Sequence, residues 1–215
     1  MNEIVLMSDP RVYAVPVREC GEPLVDVRDS GILVDPRKAD ATGSYALLRK
    51  GVLRRLLHAQ DQLPQGLRLL FVEGYRPPSL QRQYFDEYLG VLRAQYPNLH
   101  EAELHTAASR YVSPPEIAPH SAGAAVDLTL ADTNGVELDL GTRMNASPEE
   151  SSGTCYTHAS GIDTTARANR EILGSALTAA RFVNYPTEWW HWSYGDRYWA
   201  LQSGTDAALY GPHEA

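Results

Sequence analysis

Pro119-His120-Ser121-Ala122-Gly123-Ala124-Ala125-Val126-Asp127 sets two candidate metal ligands on either side of a glycine turn and runs directly into an apolar strand. His and Asp supply a nitrogen and an oxygen that suit Zn²⁺. A catalytic zinc site needs three protein ligands and a structural one four, so this pair is incomplete. The small residues between them let the backbone fold tightly. Their offset of seven is odd, so an unbroken strand would turn the two side chains to opposite faces, and the turn at Gly123 has to redirect them. The best further donor lies near the C-terminus, in Glu188-Trp189-Trp190-His191-Trp192, a setting too aromatic for a solvated loop. Two His, one Asp and an open position for water would make a catalytic zinc site.

Outward from that stretch, 126–130 reads as a strand, and Asp132-Thr133-Asn134-Gly135 has hairpin chemistry, with 136–140 returning as its partner. Upstream, 67–72 is short and mostly apolar and opens into the turn Glu73-Gly74-Tyr75-Arg76-Pro77-Pro78, the pattern of a buried strand. Apolar residues at spacings of three and four between Ala46 and Leu57 predict a helix that Ser44 caps. A second helix begins at Ser79 with Leu80, Tyr84, Tyr88 and Leu92 on one face and closes at Tyr96-Pro97. Leu104, Ala108 and Tyr111 mark a third. Residues 1–40 mix short apolar pieces with Pro10, Pro16, Pro23 and Pro36 and read as extended segments and turns, not helices.

Residues 141–162 lack periodicity and read as a long surface loop of a functional kind. Asp163 then caps a final helix whose Ile172, Leu173, Ala176, Leu177 and Ala180 face the core. Phe182-Val183 and 189–194 are strand-like, and the tail after Gly204 is expected to be partly mobile. The expected fold is α+β: a single domain over 1–215 with a mainly antiparallel central sheet flanked by helices. It comprises an extended N-terminal segment of about 1–40, a core of about 41–204 and a tail of 205–215.

Composition narrows the functional classes. With 27 acidic against 19 basic residues the net charge is −8, which gives no general attraction to nucleic acid or anionic lipid. No apolar run approaches the roughly 18 residues of a membrane helix. The first 20 residues carry Glu3, Asp9, Arg11 and Arg18 and lack the pattern of a secretory signal, so a cytoplasmic location is expected. Cys20 and Cys155 are the only cysteines and show no zinc-binding spacing; both read as free thiols.

Glu188 and His191 are three apart, an offset that would face them apart on a regular strand, so Glu188 must sit at a bend after Pro186. Here the sequence resembles the VanX-type D-alanyl-D-alanine dipeptidases, within the wider group of zinc peptidases that share the Hedgehog/DD-peptidase fold. The resemblance rests on Glu73-Gly74-Tyr75-Arg76-Pro77, His120-Ser121-x-Gly123-x-Ala125-Val126-Asp127-Leu128-Thr129-Leu130, Gly141-Thr142 and Glu188-Trp189-Trp190-His191, in the family's order over roughly residues 70–195. It implies one Zn²⁺ held by His120, Asp127 and His191, Glu188 as general base and Arg76 as the group that stabilises the oxyanion. His158 resembles a family position lining the site, and Ser121 lies beside the first ligand. The implied activity is zinc-dependent hydrolysis of a small peptide or amide bond, with the cell-wall dipeptide D-Ala-D-Ala as first substrate.

The sequence departs from the family where the substrate ammonium is bound. The carboxylate after the Gly-Thr run is replaced by Asn145, a serine two residues before the first ligand by Ala118, and 23–31 holds no Tyr. An amide cannot offset a buried cation and Ala118 has no side-chain acceptor, which favours an N-blocked or secondary-metabolite D-amino-acid substrate as the alternative. A non-catalytic zinc-binding module is the alternative of another class, and Glu188 with Arg76 argues against it, because a purely structural site needs neither. The sequence leaves the oligomeric state open.

Overall fold

A computed structural model describes residues 4–213. The outermost parts of the expected N-terminal segment and tail, residues 1–3 and 214–215, lie outside the described residues. Strand β5 (Ala125–Asp132) is the middle of the molecule, buried along its whole length except at Asp132. A strand flanked by neighbours on both sides can be apolar on one face and still carry functional side chains on the other. Val126, Leu128 and Leu130 enter the main core, and Asp127 and Thr129 alternate to the opposite face.

The elements follow in chain order. A short helix α1 (Pro10–Ala14) precedes β1 (Leu24–Asp26), β2 (Leu33–Val34), β3 (Leu47–Arg49) and α2 (Lys50–Asp61). Next come β4 (Leu67–Glu73), the helices α3 (Pro78–Gln95) and α4 (Glu101–Ala108), β5, α5 (Thr164–Ala179), β6 (Val183–Asn184), β7 (His191–Ser193) and α6 (Arg197–Ser203). The five-stranded sheet has the order β2-β4-β5-β7-β6, with β2 parallel to β4 and every other pair antiparallel. Strands β1 and β3 form a separate antiparallel pair. Val52 and Leu56 of α2 and Leu173 and Leu177 of α5 pack with the apolar face of β4 and β5 in one core. Phe85, Leu92, Leu104 and Ala108 close the α3–α4 hairpin in a second cluster. The α+β class and the mainly antiparallel sheet agree with the sequence.

Several local expectations are corrected. The apolar run 46–57 is split: Leu47–Arg49 is a strand held by β1, the helix begins at Lys50, and Ser44 lies in a 3₁₀ turn. Pairing with Leu24–Asp26 overrides the helical periodicity there. Pro10 starts a helix because Asp9 accepts the Arg11 N–H as its cap and Pro suits the first helical turn. The expected return strand at 136–140 is reduced to one bridge, Ala131 with Glu137. Residues 141–162 are irregular, but they are not purely a surface loop: Met144, Ala146 and Cys155 are buried. Arg170 of α5 holds this segment from beneath by donating to the carbonyls of Leu140, Thr154 and Tyr156. Asp163 caps α5 as expected, but a further helix, α6, follows, with Asp196 as its cap. The tail is packed: Ala208 and Tyr210 are buried, Tyr75 Oη donates to His213 O at 2.6 Å, and His213 N–H donates to Ser121 O at 2.8 Å. Among the described residues, no helix is long and apolar enough to cross a membrane.

Candidate active site

Sheet register places the first pair of candidate ligands. Asp127 on β5 lies directly opposite His191 on β7, so both side chains share a face. On the other side of β5 the ladder to β4 carries a bulge between Phe71 and Glu73, which sets Glu73 opposite Asp127. Continuation of the regular register would have put Val72 there. The bulge thus converts an apolar neighbour into a carboxylate, and Glu73, Asp127 and His191 form a row across three strands.

His120 comes from outside the sheet, on the 3₁₀ turn His120–Ala122. Gly123 closes that turn at φ +64, and a Cβ there would meet Leu24 Cδ2 at 2.4 Å, so the redirecting turn needs glycine for conformation and for space. Three hydrogen bonds tie the turn to the segment after β4. His120 Nδ1 donates to Gly74 O at 2.6 Å, Arg76 N–H donates to His120 O at 3.2 Å, and Ser121 Oγ donates to Arg76 O at 3.0 Å. A Cβ on Gly74 would meet Leu47 O at 2.4 Å, so this close approach is open only to glycine. With Nδ1 committed, the His120 Nε2 lone pair faces Asp127 Oδ1 at 3.3 Å, buried and without a hydrogen-bond partner.

His191 Nδ1 lies 3.0 Å from Asp127 Oδ1 and 3.9 Å from Glu188 Oε2. The donor atoms of His120, Asp127 and His191 all fall within 4.8 Å of one another, and the three residues are buried. A tetrahedral ion with bonds of about 2.0–2.1 Å sets its ligands about 3.4 Å apart, so the spacing and the orphaned imidazole nitrogen fit one Zn²⁺. Turns flank Glu188, supplying the bend that its offset from His191 demands. Asn184 Nδ2 donates to Glu188 O and His191 O, both at 3.0 Å, and Trp189 Nε1 donates to Thr142 Oγ1 at 2.8 Å, which fixes this turn against Gly141-Thr142.

The electrostatics differ among the acids. Burial and then repulsion by Asp127 push Glu188 well above the ordinary carboxylate range; Arg76 opposes the rise and Glu73 adds to it. Burial also acts to raise Asp127 and Glu73, but it is outweighed. The adjoining imidazoles of His120 and His191 hold Asp127 down, and the charge and hydrogen bonds of Arg76 hold Glu73 down. Burial keeps His191 below its usual 6.5, in the neutral form a metal requires. Arg76 is itself buried, forked onto Glu73 with Nε to Oε1 at 2.7 Å and Nη2 to Oε2 at 2.8 Å, while Nη1 donates to Gln81 Oε1 at 2.8 Å. The fork fixes the guanidinium and leaves one N–H on each terminal nitrogen for another acceptor.

His120, Asp127, His191, Glu188 and Arg76 line one cavity of about 390 Å³ together with Tyr84, Tyr88, Tyr111, Asn145 and Trp190. The structure brings His120, Asp127, His191, Glu188, Arg76 and Asn145 together there and leaves three expected substrate-side residues outside. Ala118 is buried, with its carbonyl accepting the Ser121 N–H. Ser121 is buried behind the His120 turn. His158 lines two other cavities, because Thr157 is tied to Pro186 O and Asn184 Oδ1 and turns the next residue away. Sequence reasoning missed Glu73, whose role depends on an unreadable bulge, and missed the tyrosines, since Tyr84 and Tyr88 at helical spacing resemble core positions.

Residues 37–205 match the family model described as D-ala-D-ala dipeptidase. The D-alanyl-D-alanine dipeptidase of Synechocystis sp. is 30% identical over 218 residues, covering 88% of each chain. That of Streptomyces coelicolor is 30% identical over 154 residues, covering 67% of this chain and 71% of the relative. Among solved structures, VanYB in complex with D-alanine-D-alanine superposes with a TM-score of 0.50 at 16% identity, over 92% of this chain and 94% of that one, a likeness of fold.

Proposed function

The chain belongs to the D-ala-D-ala dipeptidase family of peptidases, and on that premise we propose that it is a zinc-dependent dipeptidase whose first substrate is D-Ala-D-Ala. One observation carries the reading: three buried ligand atoms within 4.8 Å of one another, with Glu188 beside them, on the wall of a 390 Å³ cavity. His120, Asp127 and His191 would hold the metal, and the chemistry a zinc ion would supply there is Lewis-acid polarisation of the scissile carbonyl and acidification of the attacking water.

The chain's own residues do the rest. Glu188 accepts the proton of the attacking water at its carboxylate and delivers it to the leaving amine nitrogen, a base that becomes an acid. Its burial and its place beside Asp127 raise its proton affinity, which suits the second half of that cycle, and the charge of Arg76 opposes the rise during the first. Arg76, held by Glu73 and Gln81, donates an N–H to the developing oxyanion, a contribution typically of roughly 3–4 kcal/mol. Gly74 O and the Ser121 hydroxyl hold the His120 turn and the Arg76 backbone in register.

Asn145 favours a second reading of specificity. Asn145 lines the cavity, where its backbone carbonyl accepts from Tyr111 Oη at 2.8 Å; its side chain is a neutral amide, so an N-blocked substrate meets no carboxylate at this position. The same proposal includes one catalytic domain over 1–215, supported by a sheet that draws strands from Leu33 to Ser193, and a cytoplasmic location, supported by two free thiols. The test is amine release by zinc-loaded protein from D-Ala-D-Ala, L-Ala-L-Ala and N-acetyl-D-Ala-D-Ala. Cleavage of the free D,D-dipeptide is expected; cleavage of the N-acetyl form in preference would select the second reading, and cleavage of none would overturn both.

A further inference from the structure

Two basic side chains, Arg76 and Lys38, line the cavity beside the imidazoles, and only the first has a role in the reaction above. Lys38 ends the 3₁₀ turn Pro36–Lys38, which is fixed on three sides. Asp35 N–H donates to Phe71 O at 2.8 Å, Asp35 Oδ1 accepts the Arg37 N–H at 2.8 Å, and Ala39 N–H donates to Pro36 O at 2.8 Å. The two basic residues of this turn diverge. Arg37 runs outward to Asp35 and Glu137, both at 2.5 Å, whereas Lys38 runs inward, its Nζ 5.4 Å from the centroid of the cavity residue Tyr84.

The Lys38 ammonium is under-used. Its nearest charge is Glu73 Oε2 at 3.9 Å, beyond hydrogen-bond length, and both oxygens of that carboxylate already accept the Arg76 fork. The side chain is 29% exposed, so the charge is partly withdrawn from water without a full partner. Arg76 also lies against Tyr84, with Cζ 5.0 Å from the ring centroid, which places Lys38 and the proposed oxyanion donor on the same aromatic wall. A dipeptide carries its one free carboxylate on the residue that receives the proton, two bonds from the scissile nitrogen. A group that binds that carboxylate must therefore sit beside the catalytic cation without being it.

Resting on the dipeptidase reading, we infer that Lys38 is the residue that binds the free C-terminal carboxylate of the substrate, and so selects peptides that end at the leaving residue. A C-terminally amidated or extended peptide loses the ion pair and leaves the ammonium facing a neutral group. Lys38 is a specificity determinant; no step of bond cleavage passes through it.

The experiment is calorimetric binding of D-Ala-D-Ala and of D-Ala-D-Ala amide to zinc-loaded Glu188→Gln protein, with Lys38 present, as Lys38→Met and as Lys38→Arg. The Lys38 protein is expected to prefer the acid by about 10- to 100-fold, the range of one charge-assisted hydrogen bond. That ratio is expected to collapse in Lys38→Met and to return in Lys38→Arg. An acid-over-amide ratio that is unchanged in Lys38→Met, or binding of neither ligand, overturns the inference. Turnover by wild type is measured separately: no hydrolysis alongside a Lys38-dependent preference would refute the dipeptidase reading and leave Lys38 as a carboxylate site.

Discussion

The two walls of the cavity are built differently. On one, Asp127 and His191 face each other across β5 and β7, and His120 is stitched to Gly74, so backbone pairing sets the donor positions. On the other, Asn145 sits in an irregular segment at φ +60, held by Tyr111, while Tyr88 reaches Glu149 at 2.6 Å. Side chains reaching over long sequence separations do there what the ladder does opposite. The metal wall therefore resists change until a ligand is removed, whereas the substrate wall can shift in small steps. Specificity can drift on a scaffold whose chemistry stays fixed.

That contrast gives graded expectations. Asp127→Ala should abolish both zinc binding and turnover, because it removes one of three ligands and leaves two buried imidazoles facing each other; metal analysis showing one zinc per chain in this variant would break the distinction between the walls. Glu73→Gln should destabilise the fold by about 3–5 kcal/mol, since it leaves the Arg76 guanidinium buried without its counter-charge. Urea unfolding measures this, and a loss below about 1 kcal/mol would show that the fork is not rigid. The pH sign follows from Glu73. Its carboxyl lies below the ordinary 4.5 in the fold, so the stability it contributes is present above that value and disappears as pH falls through the lowered one. The gap between wild type and Glu73→Gln should hold from pH 7 to 5 and narrow only below.

The smallest effect belongs to the other wall. Tyr111→Phe removes one hydrogen bond to the Asn145 carbonyl, about 1 kcal/mol, and should raise KM several-fold while zinc content and kcat stay near wild type. A fall in kcat alone would mean that the loop carries catalytic geometry and that the walls are not independent.

Legibility in the sequence follows the same division. The candidate ligands, Glu188 and Arg76 could be named because compact motifs surround them, and the odd spacings foretold the turn at Gly123 and the bend at Glu188. Glu73 could be quoted as part of its motif but not assigned, because its place opposite Asp127 depends on a bulge that leaves no mark in composition. Leu47–Arg49 looked helical because periodicity is local and its strand partner, Leu24–Asp26, is not. His158 was misplaced for a similar reason: the hydrogen bonds that turn it away come from Asn184 and Pro186, on a strand and turn read separately. Lys38 has no motif, and only the fold shows it entering the cavity while Arg37 leaves it.

The central claim is that the metal trio and Glu188 form one hydrolytic unit in which Glu188 handles the proton without holding the metal. The direct test measures zinc content and D-Ala-D-Ala turnover together in wild type and Glu188→Gln. The account predicts about one zinc per chain in both proteins and a loss of turnover of about 10²- to 10⁴-fold in the variant. Equal turnover in the two, or loss of zinc from Glu188→Gln, would contradict it.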